Sequence, residues 1–475
     1  NGSLYYNYGD DFRGEVMVNQ LGKIMIASVT TSSNIAPGYS GGADALVAKF
    51  SSDLANLEFA TLIGGPQDDQ AASVKINDND QLVVCGGTRS STLPVTGGVV
   101  DGSYNGDVDG FVAVLNPVGF VQALTYIGTP FYDQARFIEI GTDDYVYVLG
   151  NTQGSWGGPI PATAYMDFTG SQFVIALNME LTEYKVRTKF GSGSTSGLNN
   201  LSLTAFLVDT CRNIYISGWG GGLAGGTTIN GLPLSSEEDQ GEGLGAFDVN
   251  NNGGNFYFAV FAPEMEKLFF GSYFGSSGSI RPHVDGGTSR FDENGYIYQG
   301  ICACGNILDE PPIVNPAHPN NNAFCNLATV KVWFDVGRAV AEGGAEPTDI
   351  QCYEEGEPYT VDFYPVETNG VEFIWDFGDS SEVSTEETPT HTYQDTGTYM
   401  VYFTAIDSSL CIPTAVDSFP LTIKEIPVSE GNLVTGRCDS LVVNAETLFE
   451  LWHDFVYLEW NLGDGNTSAD TNSVS

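Results

Sequence analysis

Residues 110–154, GFVAVLNPVGFVQALTYIGTPFYDQARFIEIGTDDYVYVLGNTQG, read as four short strands separated by turn residues. Phe111, Ala113 and Leu115 alternate with Val112 and Val114. Apolar runs at 124–127, 137–140 and 145–149 follow, each too short for a helix and bounded by Gly, Asn, Asp or Pro. The pattern recurs through the first 337 residues. A first-strand motif stands at ALVAKF (45–50), FVAVL (111–115), FVIAL (173–177), FYFAVF (256–261) and ATVKVWF (328–334). A second strand ending in Gly follows at FATLIGG, ALTYIG, VRTKFG and FGSYFG. A last strand appears at IMIASVTTS (24–32), LVVCGGTRS (82–90), VYVLGNTQG (146–154), IYISGWGGG (214–222) and YIYQGICACG (296–305). Four strands per unit in tandem predict an all-β fold built on a β-propeller, with five blades visible over 1–337.

LYYNYG (4–9) reads as a second strand, so 328–334 are expected to complete the blade begun there and remove an exposed sheet edge. The opening Asn1-Gly-Ser3 reads as a chain already processed or only partly represented. Either the ring has five blades or further blades precede this opening, and the truncated look of the opening favours the second.

A chain of 475 residues has room for two to four domains. Its 17 Lys+Arg against 60 Asp+Glu leave a net charge of −43. Such a surface repels phosphate backbones and anionic membranes, which excludes nucleic-acid binding through a basic patch. No run of 18 apolar residues is present, so no membrane-spanning helix is expected. Acidity with 12% aromatic residues and 58 Gly fits an extracellular β-protein better than a disordered tail.

From residue 338 the pattern changes. RAVAEGGAEP (338–347) reads as a polar Gly/Pro linker. Residues 348–425 alternate as strands, with turns at Thr368-Asn-Gly370 and Gly378-Asp-Ser380, and predict a small immunoglobulin-like β-sandwich. A second, incomplete copy occupies 426–475. In the first, Trp375 and Phe377 lead into a Gly/Asp turn, where Gly378 permits positive φ and Asp376 or Asp379 bonds the turn amides. Tyr393 and Tyr399 are expected to alternate into the core, and His391 to serve as a structural hydrogen-bond donor.

Two spaced motifs in order, Trp375-Asp-Phe-Gly-Asp379 and His391-Thr-Tyr393 with Gly397-Thr-Tyr399, resemble the PKD (polycystic kidney disease) domain family. Trp460-Asn-Leu-Gly-Asp464-Gly repeats the first motif in the second copy. Residues 1–337 resemble the β-propeller-repeat (SBBP) surface proteins of gliding bacteria, particularly in GEVMVNQLGKIMIASVTTS, TAFLVDTCRNIYISGWGG and HVDGGTSRFDENGYIYQGICACG. That resemblance implies a propeller followed by PKD domains and export by the type IX secretion system, although the sorting domain of that family is not in this sequence.

Eight cysteines are unevenly placed. Cys352 and Cys411 are expected to bridge the two ends of the first sandwich, and Cys438 occupies the corresponding place in the second copy. Cys302-Ala-Cys304 with Cys325 lacks zinc spacing and an evident fourth ligand other than His318. A disulfide from Cys325 to Cys302 or Cys304 suits an oxidising compartment better.

Candidate chemistry is sparse. Gly38-Tyr-Ser40-Gly-Gly42 matches a nucleophile elbow, but no helix follows it. Four histidines, His283, His318, His391 and His453, leave little material for a triad or metal helix. Asp248, Asn250 and Asn252 match the first half of a Ca²⁺ loop whose twelfth position is Ala259 rather than Glu. Asp107-Val-Asp109 and Asp78-Asn-Asp80 are weaker cases. Paired acids such as Asp68-Asp69 and Asp143-Asp144 read as solvated loop residues.

The expectation is therefore a non-catalytic, exported cell-surface protein with no cofactor other than Ca²⁺. Its partners would be surface or matrix proteins or glycans, and type IX secretion components during export. The alternative is an accessory region of a secreted hydrolase whose catalytic domain lies outside this chain.

Overall fold

The computed structural model describes residues 14–191 except 20, 201–220, 231–236, 246, 249, 256–274, 289–304 except 293–295, and 325–346 except 333, 335 and 336. It also describes 350–353, 358–425 except 409, and the strands 433–437, 440–444, 457–461 and 467–469. The chain divides into two compact units, 1–336 and 337–475.

The regular structure among the described residues of the first unit is strand, apart from one 3-10 turn at Pro263–Met265. The first sheet is β1 (Glu15–Val18), β2 (Ile24–Thr30), β3 (Asp44–Phe50) and β4 (Leu57–Ile63). The second is β5 (Asp69–Ile76), β6 (Leu82–Thr88), β7 (Asp109–Leu115) and β8 (Val121–Ile127). The third is β9 (Asp133–Ile140), β10 (Val146–Thr152), β11 (Gln172–Leu177) and β12 (Tyr184–Phe190). The fourth is β13 (Ser202–Val208), β14 (Ile214–Trp219), β15 (Phe256–Phe261) and β16 (Leu268–Phe274). Each is an antiparallel meander in chain order. A fifth has three strands, β17 (Ser289–Phe291), β18 (Ile297–Cys304) and β19 (Cys325–Val332). Residues 4–9, the expected partner for a ring-closing strand, lie outside the described residues.

The strands of 110–154 form as read, but the unit boundary does not fall where the repeat was cut. β7 and β8 end the second sheet, while β9 and β10 begin the third. Loop length explains the offset. The long connection 89–108 lies within one sheet, between paired β6 and β7, whereas the short turn 128–132 crosses between sheets.

Burial on both faces explains the near-continuous apolar runs. On β7, Phe111, Ala113 and Leu115 enter a core shared with the first sheet, and Val112 and Val114 enter one shared with the third. On β15 the split repeats: Tyr257, Ala259 and Phe261 face the third sheet's core, and Phe256, Phe258 and Val260 join Phe334 and Ile297. Four such cores join the five sheets in sequence. The first strand of each sheet packs on its predecessor: β5 on β1, β2 and β3, β9 on β5, β6 and β7, β13 on β9 and β10, and β17 on β13.

In the second unit a sandwich pairs β20 (Ala341–Glu346), β22 (Tyr359–Thr368) and β24 (Thr390–Tyr393) against β21 (Ile350–Tyr353), β26 (Thr414–Glu425), β25 (Gly397–Ile406) and β23 (Glu372–Asp376). Trp375, Phe363, Val401 and Phe403 fill its core. The predicted linker 338–347 is a correction: most of it is β20, paired with β22. Its glycine is steric, because a Cβ on Gly343 would lie 2.9 Å from Phe403 Cβ and 3.1 Å from the Trp375 ring. The strands β27 (Leu433–Arg437), β28 (Ser440–Asn444), β29 (Tyr457–Asn461) and β30 (Thr467–Ala469) form one further sheet in that order.

The Cys352–Cys411 pairing is also corrected. Cys352 lies in register with Lys424 near the end of β26, whereas Cys411 precedes Thr414, where that strand begins. Ten residues of strand separate the two ends, roughly 33 Å at about 3.3 Å per residue, far beyond the roughly 7 Å a disulfide spans. Cys411 is nevertheless disulfide-bonded, as is Cys211.

Candidate functional site

Four aspartates open strands of the first unit and are fully buried: Asp44 on β3, Asp69 on β5, Asp109 on β7 and Asp133 on β9. They act on one another in pairs across sheet junctions, Asp44 with Asp69 and Asp109 with Asp133. The backbone ties the same junctions, with Asp69 N–H donating to Ala43 O at 2.6 Å and Asp133 N–H to Val108 O at 2.8 Å. Asp44 accepts the Ser40 N–H at 2.9 Å and Asp109 the Asn105 N–H at 2.7 Å.

Asp69 accepts the Gly65 N–H at 2.7 Å, Ser90 Oγ at 2.9 Å and Thr88 Oγ1. Asp133 accepts Thr129 through its N–H at 2.5 Å and its Oγ1 at 2.6 Å. The hydroxyl thus comes from Ser90 in one copy and from Thr129 in the other. Each faces a glycine. A Cβ on Gly65 would lie 2.6 Å from Ser90 Cβ, and one on Gly154 would land on Thr129 Oγ1. The glycine ending each second strand has the same cause, since a Cβ on Gly64 or Gly128 would land on the Asp44 or Asp109 carboxyl.

Desolvation dominates these carboxyls. It pushes Asp69 up to about 6 and Asp109 up to about 7, against the bonds just described, with the facing aspartate adding to the rise. Asp44 and Asp133 are raised for the same first reason. Full burial denies them a substrate, so the pairs can hold a proton and lock sheet to sheet. The reading of Asp68-Asp69 and Asp143-Asp144 as solvated acids is corrected at two positions. Asp69 is inside, and Asp143 is largely shielded and bound to Lys185 at 2.6 Å and Tyr147 at 3.1 Å. The repeated D-Q-A of Asp69-Gln-Ala and Asp133-Gln-Ala was the available signal.

Beside the Asp109–Asp133 junction opens a pocket of about 240 Å³, lined by Asn105, Thr129, Ser155, Trp156, Tyr184 and Arg187 among others. The Trp156 ring is tilted onto Phe173 at 4.6 Å. The Arg187 guanidinium lies over Tyr184 at 5.4 Å and donates from one nitrogen to Gly158 O at 3.2 Å. Its buried Nε has no hydrogen-bond partner, and among the described residues no carboxylate pairs with it. Sequence reading missed this site because its residues come from four separate segments.

The sandwich residues assemble around one turn. Trp375 is fully buried and stacks on Phe403 at 4.3 Å. Asp376 accepts the Gly378 N–H at 3.0 Å, and Gly378 takes φ +76 under the Met400 backbone. Asp379 accepts the Ser381 N–H at 3.0 Å and contacts His391 Nε2 at 2.8 Å. His391 stacks on Phe377 at 4.0 Å, Tyr393 OH donates to Phe377 O at 3.0 Å, and Tyr399 stacks on Tyr393 at 4.4 Å. These contacts complete a core.

Ser40 lies in a loop with Oγ donating to Gly38 O. Asp248, Asn250, Asn252 and Asp464 lie outside the described residues, and Trp460 is described only as backbone of β29. Among the described residues no group of three or more His, Cys, Asp or Glu could hold a metal. Register places Cys304 directly opposite Cys325 and Cys302 opposite Leu327. Cys85 is a buried thiol.

A model of the PKD domain family matches residues 344–420, so the chain carries a PKD domain there. No curated protein matches the chain. It is similar to the solved PKD1 domain of Vibrio anguillarum Epp, at 21% identity over 18% of this chain and 96% of that one, with a TM-score of 0.14. A thermostable family-43 glycoside hydrolase is similar at 11% identity over 69% and 90%, with a TM-score of 0.30. The extracellular domain of a hybrid two-component system from B. thetaiotaomicron is similar at 10% identity over 90% and 77%, with a TM-score of 0.16. At these identities and TM-scores none of the three bears on function.

Proposed function

We propose that this chain is a non-catalytic extracellular protein, a β-propeller followed by PKD sandwiches, that works by contact with surface or matrix proteins or glycans. Export by the type IX route follows from the sequence resemblance. The observation that carries the reading is a meeting of inner strands. Lys75 on β5 lies 2.9 Å from Glu139 on β9 and 3.9 Å from Glu15 on β1. Arg290 on β17 is near enough to act on its charge. Strands of the first, second, third and fifth sheets converging on one lysine support a radial arrangement about a common axis. A rigid ring then presents its connecting loops as contact surfaces.

The PKD domain supports an extracellular setting, and full burial of the acid pairs argues against hydrolysis through them. Protease shaving of intact cells tests the location, with tryptic peptides of 14–191 expected in the released fraction before any cytoplasmic marker. Assay of the purified chain against a panel of chromogenic glycosides tests the chemistry. Retention inside the cell would overturn the first claim, and turnover abolished by a single acidic or hydroxyl replacement would overturn the second.

A further inference from the structure

We infer that the pocket beside the Asp109–Asp133 junction binds one acidic sugar ring of the uronic-acid class. This rests on the extracellular contact reading and names a ligand for it. Size sets the first limit. At about 240 Å³ the pocket is smaller than the roughly 300 Å³ at which drug-sized sites begin, so it takes one ring rather than an extended chain.

Chemistry sets the second. The chain has 43 more acids than bases, yet Arg187 is paired with a backbone carbonyl and an aromatic face, and its buried Nε is left without a partner. A buried donor left unmet is costly, and a planar two-oxygen acceptor is the group a guanidinium edge meets best. Other arginine N–H groups also lack partners, but Arg187 is the one that lines this pocket.

Trp156 and Tyr184 supply flat apolar surface for the C–H face of a ring, while Asn105, Ser155 and Thr129 supply polar groups at its rim. Arg187 offsets a single carboxylate locally, and the acids beyond about 8 Å are screened at physiological salt. A polyanion would not be offset in this way. A neutral ring would leave the Arg187 guanidinium, which lines the pocket, without a carboxylate.

Saturation-transfer NMR on the whole chain tests this with methyl glucuronide, methyl glucoside and inorganic sulfate as probes. Methyl glucuronide should give saturation, and Arg187→Gln should weaken it by roughly tenfold or more, the loss expected of a charge-assisted pair. Because Arg187 also holds Gly158, Arg187→Lys and Asn105→Ala are run beside it with melting curves. Both should stay folded and weaken the glucuronide without creating glucoside binding. Equal binding of methyl glucoside, or full competition by sulfate, would overturn the carboxylate assignment. No saturation by either sugar would overturn the site. Surface location is measured separately by shaving, so failure here leaves that reading standing, and an intracellular chain that bound glucuronide would sink the contact reading alone.

Discussion

Replacing Asp109 by Asn should stabilise the first unit at pH 8 and leave it unchanged near pH 4. Burial raises Asp109 from 3.8 to about 7. Ionising it in the folded state therefore costs about 4 kcal/mol more than in the unfolded chain, at about 1.36 kcal/mol per pH unit. The sign follows from the raised value. The folded state holds the proton more tightly, so its advantage is complete below the ordinary carboxyl value and is lost as pH climbs through about 7. Asparagine keeps an oxygen for the Asn105 N–H at 2.7 Å and carries no charge. Asp133 shares the site, so removing one charge also relieves its partner, and a net gain of about 2–4 kcal/mol is expected. For a unit of this size that corresponds to roughly 3–6 °C in melting temperature. Calorimetric melts of both proteins between pH 4 and 8.5 with chelator present would measure it. Exposed Asp78→Asn controls for loss of one charge from a chain at −43. A variant less stable than the parent by the same amount at every pH would refute the reasoning, because the carboxylate would then be needed in its ionised form.

Gly86→Ala should cost about 3 kcal/mol in the same melts, because a Cβ there would land on Gln70 O and lie 2.9 Å from the Phe111 ring. Gly97→Ala, with nothing within 4 Å, should be neutral; equal effects would show that packing is not the cause. Ser90→Gly removes a hydroxyl from Asp69 and should cost about 1–2 kcal/mol. The pair Gly65→Thr with Ser90→Gly should recover most of it by copying Thr129 and Gly154, and strict additivity in the double-mutant cycle would reject the exchange. The sandwich should respond to acid with the opposite sign. Burial pushes Asp379 up, but the Ser381 and His391 hydrogen bonds outweigh it and hold the carboxyl below its ordinary value. Its contribution is complete above that value and fades as pH falls through the depressed one, so Asp379→Asn should flatten the acid limb of the sandwich melt.

Strand positions were legible in the sequence because the sheets bury both faces. Five consecutive apolar residues such as Phe111–Leu115 admit little but a two-sided strand once Asn116 and Gly119 punctuate them. Sheet boundaries were not legible, since a 20-residue loop inside a sheet looks like a boundary and a 5-residue crossing looks like a hairpin turn. β20 was hidden because its small residues, chosen for the space beside Trp375, have the composition of a linker. The acid pairs were hidden for a related reason. Charge predicts exposure, and only the repeated D-Q-A at Asp69 and Asp133 and the glycines opposite Asp44 and Asp109 record that these side chains turn inward.

Three copies of one junction within a single chain separate what the fold requires from what it tolerates. Leu203 pairs with Gly218 as Ala71 does with Gly86 and Ala135 with Gly150, which places buried Leu201 where Asp69 and Asp133 stand. Across from it, Gln172 replaces Asp44 and Asp109 at the head of β11, and a Cβ on Gly191 would land on its Oε1. Both carboxyls have gone and the glycine has stayed. The third junction still joins its sheets through one continuous core. Volume is therefore the fixed constraint and charge the variable one: the first two junctions weaken as pH rises through their raised carboxyl values, while the third has no carboxyl pair to impose that dependence.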